Sequence, residues 1–209
     1  MFIPLVVRAL GGGLFPGHAC GDEHAAQLVR RLRLPTARYL ADRPTVLNIL
    51  WRTQVIRDAG LAFFERHPEA WGVNLGCGLS QYFQWLDNGR NTWLDTDMRP
   101  SMELRRRLLP PDTERQRSAI IDLRRPQWWQ DLNLPAQALG QPLFMLCEGV
   151  LMYLQPQQVR HVLHSFAAQA PAGSRLVIDI LAGCAVGMAQ WHASVGPTKA
   201  QFHWGIRSL

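Results

Sequence analysis

The amino-acid sequence predicts an α/β fold, in which a mostly parallel sheet carries helices on both faces. From residue 71 onward, short apolar runs alternate with helical segments, which is typical of parallel strands joined by crossover helices. The first apolar run ends in the glycine turn Gly76-Cys77-Gly78, and the second ends at Asp97, nineteen positions after Gly78. A chain of 209 residues, 47% of them hydrophobic, is long enough to bury the core of one such domain.

Two helices are predicted before the sheet. The amphipathic run at residues 22–34 is typical of a short helix. Thr45 is a suitable N-terminal cap for a longer helix that continues to about residue 66 with apolar residues near helical spacing. We therefore expect residues 1–70 to form a helical cap or lid segment, and residues 71–209 to contain the sheet, within a single compact domain.

Five strands and four connecting helices are predicted in the rest of the chain. The strands are the short apolar runs at residues 72–75, 92–95, 118–121, 143–147 and 175–181. The connecting helices are expected at about residues 80–86, 101–109, 126–132 and 156–170. The turn Pro171-Ala172-Gly173 ends the last of these helices before the fifth strand.

Polar residues or glycines follow four of these strands, at the edge of the sheet where open parallel sheets bind ligands. They are Gly76 and Gly78 after the first strand, Asp97 after the second, Asp122 after the third and Glu148 after the fourth. Glycines let the backbone turn with positive φ and approach a ligand, and a carboxylate at the second strand can accept both hydroxyls of a ribose. The ordered set predicts a site for an adenosine-containing small molecule.

The residues after the glycine turn favour a cofactor without phosphate. A dinucleotide fingerprint needs a third glycine, and a phosphate-binding loop needs a lysine, but Leu79-Ser80-Gln81-Tyr82 follows Gly78. S-adenosylmethionine, which carries no phosphate, fits this turn better than a dinucleotide or a nucleoside triphosphate.

The basic composition does not by itself predict a nucleic-acid partner. The net charge is +6, and seven arginines fall between residues 105 and 125. Acidic residues are interleaved with this cluster, and 21 of the 22 basic residues are arginine, so the enrichment runs through the whole chain. An RNA or DNA substrate is therefore less favoured than a small anionic substrate, which the same charge attracts.

Neither a membrane segment, a disulfide framework nor a metal site is predicted. The apolar run at residues 1–10 is short and interrupted by Pro4. The four cysteines are far apart without a C-x-x-C pair, and His18, Cys20 and His24 lack a fourth ligand at suitable spacing. We therefore expect a cytoplasmic protein with reduced thiols.

Four stretches of the chain resemble the leucine carboxyl methyltransferase family, most closely its bacterial branch of polyketide O-methyltransferases. They lie at residues 73–79, 93–97, 103–107 and 147–154, where the segment E-G-V-L-M-Y-L is the most specific. The resemblance runs from about residue 52 to the end of the chain. It implies a Rossmann-like class I methyltransferase fold and an S-adenosylmethionine-dependent enzyme that esterifies carboxylates or methylates hydroxyls, with residues 71–209 as the cofactor-binding domain.

The resemblance also implies a role for each residue at the sheet edge. Arg52 would bind the carboxylate of the methionyl part, which a planar guanidinium can hold through two oxygens. Gly76 and Gly78 would let the backbone approach the cofactor, and Glu148 would lie beside the amino group. By the same resemblance, Asp97 would bind the ribose, and Asp122 with the neighbouring Leu123 would bracket the adenine.

Two features depart from the family pattern. Ser80-Gln81-Tyr82 stands where the family usually has Asp-Thr-Arg, so charges that would order this part of the pocket are missing. Two further strands complete this fold in the family, but 28 residues follow residue 181 and offer no convincing hairpin. We therefore expect the sheet to lack its last two strands and to expose an edge that can pair with a second copy of the chain in a homodimer.

No catalytic residue is assigned from the sequence. A carboxylate acceptor needs no general base, whereas a hydroxyl acceptor does, and the candidates by residue type are His161, His164, His192 and His203. The sequence predicts an O-methyltransferase for a small, anionic, polyketide-like metabolite. Two alternatives stay open: a degenerate, non-catalytic binding protein with the same fold, and an RNA methyltransferase.

Overall fold

The computed structural model describes residues 2–191 and 195–206, which form a five-stranded parallel sheet with helices on both faces. The strands follow the order β3-β2-β1-β4-β5 across the sheet. They are β1 (Trp71–Leu75), β2 (Thr92–Asp97), β3 (Gln116–Ile120), β4 (Phe144–Cys147) and β5 (Arg175–Ile178). The predicted fold class and all five predicted strands are confirmed. Because the chain moves outward in one direction from β1 to β3 and in the other from β4 to β5, the order reverses between β1 and β4.

Among the described residues, the α-helices include every helix that the sequence predicts and three more. Those predicted correspond to α2 (Glu23–Leu32), α4 (Arg43–Arg66), α5 (Phe83–Leu86), α6 (Arg99–Leu108), α7 (Trp128–Asp131) and α9 (Pro156–Gln169). Those not predicted are α1 (Phe2–Leu10), α3 (Thr36–Leu40) and α8 (Ala136–Leu139). In the described parts of the chain, no helix combines the length and the apolar character needed to cross a bilayer.

The predicted cap of α4 is wrong. The helix begins two residues before Thr45, and the side chain of Asp42 accepts a hydrogen bond of 3.3 Å from the backbone N–H of Thr45. Aspartate is a strong N-terminal cap, and Pro44 lies in the first turn, where its missing N–H costs nothing. Thr45 is therefore the residue that is capped, and its hydroxyl donates to the same carboxylate.

Apolar residues fill both faces of the sheet. One face packs against α7 and α9 around Trp128, and the other packs against α4 and α5 around Trp93. All five residues of β1 are buried, and a Cβ on Gly72 would lie 2.1 Å from Trp93 Cε3, so this strand leaves no room for a larger residue there. The buried strand β1 thereby positions the glycine turn that follows it.

The segment after β5 adds no ladder to the sheet within the described residues. Ala182 and Ile206 form one isolated parallel bridge, and short helical turns occupy residues 183–185, 189–191 and 196–198. The expected absence of two further strands therefore matches the described part of this segment, and β5 has one edge without a strand partner there.

Candidate cofactor site

A cavity of about 500 Å³ opens at the carboxyl ends of β1, β2 and β4, where the strand order reverses. All seven residues that the sequence predicts for the cofactor site line this cavity. They are Arg52, Gly76, Gly78, Asp97, Asp122, Leu123 and Glu148.

The glycine turn closes tightly onto its neighbours. Gly76 and Gly78 have φ angles of 73° and 52°, which favour glycine. The backbone N–H groups of Gly76 and Cys77 both donate to the carbonyl oxygen of Thr96 at 2.8 Å. A Cβ on Gly76 would lie 2.3 Å from Val150 Cγ2, so glycine is required by contact as well as by backbone angle.

Asp97 is held in place by backbone amides. Its Oδ2 accepts a hydrogen bond of 2.8 Å from Gly78 N, and its Oδ1 accepts one of 2.7 Å from Met98 N. A carboxylate has about four acceptor positions, so each oxygen keeps one for a ligand. The arrangement presents a fixed acceptor pair at the end of β2, next to the glycine turn.

Arg52 on α4 joins the loops that follow β4 and β5. Its Nε donates to Glu148 Oε1 at 2.7 Å, and its Nη1 donates to Asp179 Oδ2 at 2.6 Å. The second oxygens are also engaged: Tyr82 donates its hydroxyl to Glu148 Oε2 at 2.7 Å, and Gly149 N donates to Asp179 Oδ1 at 2.7 Å. Two of the three guanidinium nitrogens of Arg52 thus bind protein carboxylates, and Nη2 is the nitrogen with no hydrogen bond to another described residue.

The charges of this cluster stabilise one another. Burial alone would raise the pKa of Glu148, but Arg52 and Arg8, with the hydrogen bond from Tyr82, hold the pKa of that carboxyl below its usual value. Burial raises the pKa of Asp179 above its usual value, and Arg52 offsets this only in part. Glu148 therefore remains ionised to lower pH than an ordinary glutamate does.

Arg8 on α1 forms part of the same wall and was not predicted. It is 4% exposed, and its Nε donates to Asp22 Oδ2 at 2.9 Å. Burial lowers the pKa of Arg8, but the charges of Glu148 and Asp22 outweigh burial and raise it. A second permanent cation thus faces the cavity beside Arg52.

Asp122 and Leu123 line the cavity beyond β3. Both oxygens of Asp122 accept hydrogen bonds from Arg124, with Nη2 at 2.6 Å from Oδ2 and Nε at 2.8 Å from Oδ1. This contact lowers the pKa of Asp122. Leu123 is 7% exposed and belongs to the core around Trp128, so it offers an apolar surface at the cavity wall.

The segment Ser80-Gln81-Tyr82 is ordered by a cation from another element. Arg105 on α6 donates to Ser80 O at 2.7 Å, to Gln81 Oε1 at 3.1 Å and to Asp95 Oδ2 at 2.6 Å. The same guanidinium reaches Gly78 O at 3.2 Å. Arg105 and Asp95 are 4% and 1% exposed, so this ion pair is buried under the glycine turn. The expectation that this part of the pocket lacks ordering charge is therefore wrong.

The histidines considered as general bases are not at the cavity in the described part of the chain. His161 Nε2 lies 2.7 Å from Pro126 O, and neither His164 nor His203 lines the cavity. His192 lies outside the described residues.

Residues 7–167 match the family model of leucine carboxyl methyltransferases. The chain belongs to the leucine carboxyl methyltransferase family. It is accordingly a methyltransferase, and S-adenosylmethionine is the cofactor of this class.

Individual relatives agree with this assignment. The chain is 26% identical over 193 residues to the tetracenomycin polyketide synthesis O-methyltransferase TcmP of Streptomyces glaucescens, covering 91% of this chain and 68% of that protein.

Among solved structures, the chain is similar to a methyltransferase-like protein from Thermobifida fusca, with a TM-score of 0.56 and 17% sequence identity. The match covers 97% of this chain and 74% of that protein. The chain is also similar to a DUF574 family protein from Streptomyces avermitilis, with a TM-score of 0.52 and 13% sequence identity. That match covers 78% of this chain and 62% of that protein. These two structures support the fold.

Proposed function

We propose that this methyltransferase transfers a methyl group from S-adenosylmethionine to an oxygen of a small, anionic, polyketide-like metabolite. The observation that carries the proposal is that residues from α4, β1, β2 and the loop after β4 meet at one cavity with the polar groups that this cofactor needs. When bound, the cofactor supplies an electrophilic methyl group on a sulfonium sulfur.

The residues at the cavity suit the amino-acid part of the cofactor. Glu148 has acceptor positions left on both oxygens, which suits an ammonium group. Arg52 Nη2 and the guanidinium of Arg8 supply donors for a carboxylate. Gly76 and Gly78 bring backbone rather than side chains to this wall, which leaves room for a close approach.

The wall formed by Asp97, Asp122 and Leu123 suits the nucleoside part of the cofactor. Asp97, fixed by two amides, is suited to accept the two hydroxyls of a ribose. Leu123 supplies an apolar surface for a base, and Asp122, oriented by Arg124, supplies an acceptor beside it.

We further propose that residues 1–70 act as a lid over the cofactor-binding domain, residues 71–209. Pro4, Arg8 and Arg52 come from this segment and line the cavity. Methyl transfer requires that the acceptor oxygen lie about 3 Å from the methyl carbon and that water be excluded, which a lid of this kind provides. The net charge of +6 on the whole chain favours an anionic acceptor.

We propose a carboxylate rather than a hydroxyl as the acceptor. Around the cavity, the described residues include no histidine, and an ionised carboxylate needs no general base. A panel of small aromatic carboxylates and matched phenols, assayed for methyl transfer, tests this preference.

Calorimetric titration of S-adenosylhomocysteine tests the cofactor site. We expect micromolar binding to the wild type and at least ten-fold weaker binding to Asp97→Asn. Asp112→Asn is the matched control, because Asp112 also accepts a backbone hydrogen bond, from Ser118 N at 2.8 Å, but does not line the cavity. Equal affinity in both variants would show that the site is misplaced. Binding without turnover of any acceptor would favour the non-catalytic alternative, and retention on RNA that falls steeply with salt would favour the RNA alternative.

We propose that two copies pair through the edge of β5 that has no strand partner among the described residues. Antiparallel pairing centred on Val177 would place Arg175 of each copy opposite Asp179 of the other. The carboxylate of Asp179 is already bound by Arg52 and Gly149 N, so the pairing would rest on backbone hydrogen bonds, and a glutamate at position 175 would add a repelling charge beside Asp179. Ile180, 41% exposed, lies just beyond β5. Light scattering should give a dimer for the wild type and a monomer for Arg175→Glu, with Arg160→Glu as the exposed control; a monomeric wild type would contradict this pairing.

The free thiols suit a cytoplasmic location. Cys20, Cys77 and Cys147 are buried and unpaired, and Cys184 is exposed and unpaired. Reduced cysteines are the rule in the cytosol.

A further inference from the structure

We propose that Tyr82 is a positioning residue, which orients the carboxylate of Glu148 toward the amino group of the cofactor. The inference rests on the proposed function, because it assigns Tyr82 a role at the cofactor site. Tyr82 does not line the cavity, so it acts through Glu148.

The hydrogen bonds of Glu148 fix both of its oxygens. Arg52 Nε binds Oε1 at 2.7 Å, and the Tyr82 hydroxyl binds Oε2 at 2.7 Å from the other side. Two donors on different oxygens prevent rotation of the carboxylate plane, since any turn would break one of them. The acceptor positions that remain then have a fixed direction.

Tyr82 is itself rigidly held. It is fully buried, and its ring packs edge-on against Trp85 with 5.5 Å between ring centroids. Its carbonyl oxygen accepts hydrogen bonds from Trp85 N and Leu86 N at 3.0 and 3.2 Å. Arg105 holds the preceding residues Ser80 and Gln81. The hydroxyl is therefore a preorganised donor at the end of a fixed segment.

A neutral donor suits this task better than a cation would. Arg52 and Arg8 already place positive charge near Glu148. A further guanidinium on Oε2 would repel an incoming ammonium, whereas a phenol orients the carboxylate and leaves its charge available. Burial raises the pKa of Tyr82 well above its usual value, so the hydroxyl keeps its proton at neutral pH.

The test compares two ligands that differ in the group that Glu148 would hold. S-adenosylhomocysteine carries the amino acid part, and 5′-methylthioadenosine lacks it. We expect Tyr82→Phe to weaken S-adenosylhomocysteine binding about ten-fold, as expected for a hydrogen bond to a charged group, and to leave 5′-methylthioadenosine binding unchanged. Tyr39→Phe is the matched control, because Tyr39 lies on α3 and does not line the cavity; it should change neither affinity.

A double-variant comparison shows whether Tyr82 acts through Glu148. In a Glu148→Gln background, removing the Tyr82 hydroxyl leaves no buried carboxylate without a donor. Tyr82→Phe should therefore cause no further change in the ratio of the S-adenosylhomocysteine and 5′-methylthioadenosine affinities. The positioning role would be overturned by a further change of the affinity ratio in the double variant. It would also be overturned if Tyr82→Phe alone weakened the binding of both ligands equally or changed the binding of neither. Failure of the wild type to bind S-adenosylhomocysteine would overturn the proposed function and this inference with it.

Discussion

Replacing Gly76 by alanine tests how tightly the glycine turn is built. Two costs add at this position. The backbone has a φ of 73°, and an L-residue in that region loses about 1 kcal/mol relative to glycine. The new Cβ would lie 2.3 Å from Val150 Cγ2, and overpacking of this kind costs about 1 to 3 kcal/mol. We therefore expect Gly76→Ala to lower the free energy of unfolding by about 2 to 4 kcal/mol.

Urea denaturation of three single variants and one double variant separates the two costs. Gly89→Ala is the backbone control, because Gly89 has a φ of 81° and a Cβ there would contact nothing within 4 Å. It should lose about 1 kcal/mol at an unchanged m-value. Val150→Ala removes the obstructing methyl groups, so in a double-mutant cycle it should recover the steric share of the Gly76→Ala loss. Equal losses for Gly76→Ala and Gly89→Ala, or no coupling in the cycle, would refute the argument that Val150 closes on the turn.

Two further sets of variants test the buried charges. Arg105→Met leaves Asp95 buried without its cation and should lower the free energy of unfolding by about 3 to 5 kcal/mol in urea titrations, a loss that adding Asp95→Asn should partly restore. Glu148→Gln should make the melting temperature fall less than that of the wild type as the pH is lowered. The lowered pKa of Glu148 contributes stability that is present above the ordinary pKa of 4.5 and is lost as the pH falls through the pKa of the folded state. Parallel acid melting curves for wild type and Glu148→Gln would contradict that shift.

The sheet and its ligand edge are predictable from the sequence because each depends on local pattern. Apolar runs bounded by turn residues identified every strand, and the first polar residue after a strand has a fixed place in a parallel sheet. That is why Asp97 and Glu148, which are far apart in the chain, could be placed at the same cavity.

Asp179 was missed because of a boundary. The apolar run predicts a fifth strand to residue 181, but β5 ends at Ile178, so Asp179 is the first residue after the strand, like the other predicted site residues. Helix α1 was missed because an apolar run of nine residues with Arg8 near its end carries no capping signal. For Asp179 and Arg8, the sequence shows a residue suited to a binding site but does not show where the residue lies relative to the end of its strand or helix.

The segment Ser80-Gln81-Tyr82 shows a different limit. Judged residue by residue, it lacks charges and suggests a weakened pocket. In the fold, the charge comes from Arg105, more than twenty residues later, and Asp95 neutralises it. A turn is ordered by all the side chains that contact it, and many of these come from distant parts of the chain. The sequence contains those residues but does not show which of them are in contact. A departure from a family pattern at buried positions therefore indicates a repacked network as readily as a lost function. Next to the Arg105 network, the uncharged Tyr82 donates to Glu148, and a charged residue in its place would alter the charge around that carboxylate.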